Sequence, residues 1–188
     1  MYDRTLILVL FSTNDSPMNR DILKEEAKWL SLRTTVSRFV KAYNQQTTHY
    51  CELVNQDTLG GQLGQLTINS QLSIYGHCES MAIGGKPPIE LAQYLHDHGF
   101  RSARNINLIA CETSKDLGFF EHGSYAEEFL VAIRRVGPPH PTVLSVTGRE
   151  GDVTIRAGDA YPIAQWGTKQ VSGDAGDIPK GENKRVFH

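Results

Sequence analysis

Two short runs in the sequence end in residue types that carry out covalent chemistry. Leu72–Cys78 reads LSIYGHC: an apolar stretch stops at Gly76 and delivers His77. Ile106–Glu112 reads INLIACE and delivers Cys111 in the same way. A thiol attacks a carbonyl carbon as its thiolate, and an imidazole, which titrates near neutrality, is the common base that generates it. In open α/β sheets reactive groups collect at the carboxyl ends of strands. If these two runs are neighbouring parallel strands, His77 and Cys111 emerge on one edge of the sheet. The intervening PPIELAQYL reads as a crossover helix, which favours that arrangement. Each residue also has a plainer role. A cysteine that closes an apolar strand is most often a small buried hydrophobe, and a lone histidine a hydrogen-bonded structural residue.

The elements that must position these residues can be read along the chain. Thr5–Ser12, TLILVLFS, is a buried strand, followed by a loop over Thr13–Arg20. Asp21 caps a helix, or two shorter ones, running to about Asn44. Thr48–Val54 is a second strand that places Cys51 in the core, and Asn55–Gly64 is a glycine-rich loop. Leu72–Tyr75 is the third strand, and Glu79–Pro87 a mobile surface loop. Pro88–His98 is a helix opened by proline and closed by Gly99. His96 and His98 lie two apart on it, on different faces, which is poor metal geometry, and both read as surface residues. Asn105–Ala110 is the fourth strand and Ser114–Gly123 a loop; Ser124 then caps a helix through Val136, and Thr142–Val146 is the fifth strand. Asp152–Arg156 and Tyr161–Trp166 form a hairpin turning at Ala157–Asp159. From Gly167 the chain is polar and nearly empty of core residues. This predicts one α/β domain over 1–166, a mostly parallel central sheet flanked by helices, with a polar tail over 167–188.

Composition sets the outer bounds. The chain has 188 residues, 39% hydrophobic and 21% charged. That suits one domain able to bury roughly 70% of its unfolded surface. No apolar run approaches the roughly 18 residues a membrane span requires. The opening MYDRTLILVLF reads as a first strand and not a signal peptide. A net charge of −2 gives no basic field for nucleic acid. Three cysteines, Cys51, Cys78 and Cys111, are too few and too odd in number for a disulfide scaffold. No spacing of histidine, cysteine and carboxylate selects a metal site.

The chain resembles the cysteine protease domain of large bacterial toxins, self-processing peptidases of the caspase and gingipain clan. GQLTINSQLSIYGHC is similar to the strand leading to that family's Gly-His-Gly, and IGGKPPIELAQYL to its flap and helix. NINLIACE resembles the strand ending in Gly-Cys, GSYAEEFLVAI the helix after the nucleophile, and VLSVTGREGDVTI the strand and hairpin that follow. The resemblance implies a caspase-like three-layer sandwich with a C-terminal hairpin. It implies that His77 is the catalytic histidine, Cys111 the nucleophile, and the N–H groups of Cys78 and Cys111 the oxyanion hole. It also implies inositol hexakisphosphate as an allosteric activator, with no cofactor needed for the chemistry itself. Arg149, Arg156, Lys180, Lys184 and Arg185 are the basic residues that could hold it, with a solvated charged face as the plainer reading. Three positions depart from the family: Cys78 and Ala110 stand where it has glycine, and Glu112 follows the nucleophile. A Cβ at Cys78 would be strained in a left-handed conformation, and a carboxylate at Glu112 would raise the pKa of the thiol.

The expected activity is therefore a cysteine endopeptidase acting on its own chain or on a host protein, as a secreted effector delivered without a Sec signal, or otherwise cytoplasmic. Two alternatives share the same residues. One is a thiol deamidase or acyltransferase acting on a host protein; the other is a non-catalytic binding module on a decayed protease fold.

Overall fold

The structure, a computed structural model, describes residues 2–44, 50–79, 81–114, 123–156, 168–173, 176–177 and 183–188. Its centre is a six-stranded sheet built from β1 (Arg4–Val9), β2 (Tyr50–Asn55), β3 (Gln71–Tyr75), β6 (Ser102–Ile109), β7 (Thr142–Arg149) and β11 (Lys184–Phe187), in the order β11-β7-β6-β3-β1-β2. Five strands run parallel, and β11 at one edge is antiparallel to β7. Three helices flank it: α1 (Pro17–Asn44), α2 (Pro88–Asp97) and α3 (Tyr125–Arg135). This is the expected α/β class, and it is compatible with a caspase-like three-layer sandwich.

Alternation along β1 shows how the layers separate. Leu6 and Leu8 face one core with Leu72, Ile74, Ile106 and Leu108, under α2 and α3. Ile7 and Val9 face the other, with Tyr75 and Ile109, under Leu23, Ala27 and Leu30 of α1. Those helix positions recur at the i, i+4, i+7 spacing that builds an apolar stripe. Burying a side chain such as Phe129 of α3, fully enclosed here, contributes about 1.5–3 kcal/mol.

Several boundaries differ from the sequence reading. Helix α1 begins at Pro17, inside the expected loop, because Ser16 Oγ accepts from the Asn19 N–H (3.2 Å) and proline suits the first helical turn. The expected surface loop after His77 folds into a small hairpin, β4 (Cys78–Glu79) against β5 (Ala82–Ile83). Ala82, Ile83 and Gly84 are buried. Gly84 has φ 56°, and a Cβ there would lie 2.5 Å from Leu10 Cβ, so only glycine lets the hairpin seat on the end of β1. His96 is not a surface residue: its side chain is 14% exposed, and its ring fills the space that a Cβ on Gly137 would occupy.

β8 (Asp152–Arg156) pairs antiparallel with β9 (Thr168–Gly173) instead of the expected Tyr161–Trp166, which lies outside the described residues. β9 also pairs with β10 (Gly176–Asp177). The stretch read as a polar tail thus contains three strands. Its last, β11, extends the main sheet and packs Phe187 against the larger core.

Candidate active site

β3 and β6 are neighbours, parallel and in register, with Tyr75 opposite Ile109 as their last pair. His77 and Cys111 each stand two residues beyond that pair. The topology therefore brings the two sequence-predicted residues to equivalent places on one sheet edge. His77 is exposed, and its carbonyl accepts from the Gly84 N–H at 2.9 Å, which joins it to the small hairpin. Cys111 is half-buried.

The loop carrying Cys111 is clamped from three sides. The Glu112 N–H donates to Gly151 O (3.1 Å), the Ser114 N–H to Arg149 O (2.8 Å), and the Ala126 N–H at the start of α3 to Thr113 O (2.8 Å). The fully buried Thr113 hydroxyl accepts from the Arg149 N–H (2.8 Å) and donates to Ala110 O (3.5 Å). The thiol itself accepts from the Val153 N–H at 3.4 Å. The Val153 N–H thus brings β8 against Cys111.

Burial raises the pKa of the Cys111 thiol above its ordinary value. The Val153 N–H opposes that rise, and the carboxylates of Asp152 and Glu112 add to it. Glu112 adopts the left-handed conformation, φ 51°, directly after Cys111. The anticipated strain at Cys78 does not arise, because Cys78 is not among the positive-φ residues and lies in β4. Ile83 spends both its N–H and its C=O on Lys86, which leaves the Cys78 main chain pointing away from its hairpin partner. The Cys78 side chain packs against the α2–α3 core, and burial, then the charges of Cys111 and Glu112, push its thiol up to about 12.

Asp152, Val153 and Thr113 were not singled out from sequence. They reach Cys111 through a hairpin and a loop turn, and no local pattern reports such contacts. Cys51 lies half-buried in β2 against the α1-side core, as expected.

The five basic residues suggested for a polyphosphate separate. Lys180 lies outside the described residues. Arg156 belongs to β8. Arg149, Lys184 and Arg185 meet at the β7–β11 corner, with Lys184 opposite Arg149 in register. Arg149 is only 5% exposed and donates to Asn107 Oδ1 at 2.7 Å, and burial lowers its pKa to about 10. Arg185 pairs with Glu150 at 3.1 Å. Among the described residues, this corner presents Lys184 and the Glu150-paired Arg185 to solvent and keeps Arg149 buried. No group of three or more histidine, cysteine or carboxylate side chains among the described residues could hold a metal ion, and no described helix is long and apolar enough to cross a membrane.

Compared with known protein families, curated proteins and solved structures, the chain matches none of them.

Proposed function

We propose that the chain is a cysteine endopeptidase in which Cys111 is the nucleophile and His77 the general base and acid. The observation that carries this reading is the equivalent placement of the two residues beyond the last registered pair of adjacent parallel strands. A thiol held neutral by burial and by neighbouring carboxylates needs such a base at the moment of attack.

The reaction follows from the groups present. His77 takes the Cys111 proton as the sulfur bonds to the scissile carbonyl carbon, and the C=O pair moves to oxygen. The Cys78 and Cys111 N–H groups would hold the oxyanion. When the carbon–nitrogen bond breaks, the imidazolium returns its proton to the leaving amine, giving a free amino terminus and a thioester. His77 then deprotonates water, which attacks the thioester and regenerates the thiol with release of the acid. An extended substrate would run along the outward edge of β8, beside the sulfur. No step requires a polyphosphate.

The test is to incubate the protein with a peptide mixture and read new chain termini by mass spectrometry. Cys111→Ala should abolish them, and His77→Ala should slow them by roughly 10²–10⁴-fold. Small mass shifts on intact peptides would assign a deamidase or acyltransferase instead. A folded protein whose Cys111 resists a thiol-reactive peptide probe would indicate a binding module.

A further inference from the structure

A cavity of about 350 Å³ opens between the loop after β1 and the first turns of α1, lined by Asp15, Pro17, Arg20, Asp21 and Lys24. It lies on the same sheet edge as the dyad. β1 is the neighbour of β3 on the side away from Cys111, and the Gly84–Gly85 turn bonded to His77 O packs on Leu10 and Ser12 of the cavity loop.

The charges in this cavity are unequally committed. The Asp15 carboxylate accepts the Ser12 N–H at 2.6 Å, closing the loop on itself. Asp21 is held by Lys24 at 3.4 Å. Arg20 has no such partner among the described residues. Its guanidinium lies 5.7 Å from the centre of the Phe11 ring, and the Lys24 ammonium lies 5.5 Å from the same ring centre. One Nη donates a long 3.3 Å bond to Ser12 O, and its buried Nε has no hydrogen-bond partner. A small turn of the guanidinium toward the cavity would exchange that long bond and that unmet donor for a two-pronged pair with a carboxylate.

The order of groups along the edge says which part of a ligand would arrive there. Cys111 attacks the scissile carbonyl and His77 protonates the leaving nitrogen, so the chain beyond that nitrogen continues past His77 and over β1. We infer that the Arg20 cavity is a subsite for a carboxylate on the leaving-group side of the scissile bond, which gives the protein a preference for acidic peptides. This rests on the peptidase reading above. The carboxylate comes either from an aspartate or glutamate side chain or from a peptide's own C-terminus, because the cavity recognises the group they share.

The experiment uses the full chain and quenched-fluorescent peptides. Each position after the cleaved bond is set in turn to Asp, Asn or Lys with an amidated C-terminus, and a parallel neutral set keeps its free C-terminus. An acidic residue at one position, or the free C-terminus, should raise kcat/KM by roughly tenfold, the size of a charge-assisted pair. Arg20→Gln should erase that ratio and Arg20→Glu should reverse it toward Lys. If Arg20→Gln does not fold, as judged by its melting curve, Arg20→Lys keeps the charge without the fork and should lose most of the ratio. Equal rates whatever the charge, or an acidic preference that survives Arg20→Gln, would overturn the subsite alone. Wild-type protein that is folded and cleaves no peptide would overturn the peptidase reading and the subsite with it.

Discussion

The reactivity of Cys111 is decided by groups that lie far from it in sequence. Its hydrogen-bond donor, the Val153 N–H, is 42 residues away, and Asp152 beside it opposes ionisation through its charge and its hydrogen bond with the thiol. Residue types and strand ends are local signals, so the placement of His77 and Cys111 on one sheet edge was legible in the sequence. Asp152 was not, since the register between a hairpin and a distant loop leaves no mark on either segment. Its role gives a directional prediction. Replacing Asp152 with Asn removes a negative charge from beside the sulfur, which lowers the thiol pKa and increases the thiolate fraction at pH 7. Alkylation of Cys111 by iodoacetamide should then accelerate by roughly two- to fivefold. A rate at or below wild type would show that Asp152 does not hold back ionisation of the sulfur.

At the scale of elements, alternation of apolar strands with capped helices was enough to indicate a parallel sheet covered on both faces. Ser124 caps α3 as the sequence suggested, accepting from the Glu127 N–H at 3.3 Å. The reading failed where pairing is decided by partners at long range. β7 extends past Val146 to Arg149 because β11 supplies hydrogen bonds along Thr147–Arg149, and β11 itself, KRVF, has too little apolar content to declare a strand. That extension is what reaches the Cys111 loop. Gly148 sits where the two meet: a Cβ there would lie 2.8 Å from Ser114 Cβ and 2.9 Å from Ala126 Cβ and the Ser114 N. These neighbours are backbone or the first atoms of short side chains, so they cannot swing aside. Gly148→Ala should destabilise the protein by about 1–3 kcal/mol in denaturant unfolding. Because the displaced atoms belong to the clamp on the Cys111 loop, kcat should fall more than KM rises. An unchanged midpoint with an unchanged kcat would mean that the loop shifts freely, contrary to its three hydrogen bonds.

For the whole molecule, the same enclosure that holds the thiols neutral sets how the fold responds to base. Burial raises the Cys78 thiol from the ordinary thiol range to about 12, with Cys111 and Glu112 adding to it, and burial also raises Cys111, Tyr75 and Tyr125. For Tyr75 its hydrogen bond to Glu26 acts in the same direction. A group whose pKa is higher in the folded state holds its proton more tightly there than in the unfolded chain. Its contribution to stability is complete below the unfolded value and is lost as pH climbs toward the folded one. For Cys78 that window runs from about pH 8.5 to about 12. Arg149 works the other way: burial lowers its pKa to about 10, so its enclosed charge costs stability at neutral pH and less as it deprotonates. With Tyr94 raised by burial as well, five raised acids against one lowered base give a net loss on the alkaline side. Tm should therefore be nearly level between pH 7 and 8 and fall progressively from about pH 8.5 to 10.5. Cys78→Ala should make that fall shallower, because it removes a thiol whose window spans the range, while lowering Tm at pH 7 through lost packing against the α2–α3 core. Thermal melts followed by circular dichroism at constant ionic strength measure both slopes. A wild-type Tm that rises through this range would show that the Arg149 contribution outweighs the enclosed thiols and phenols.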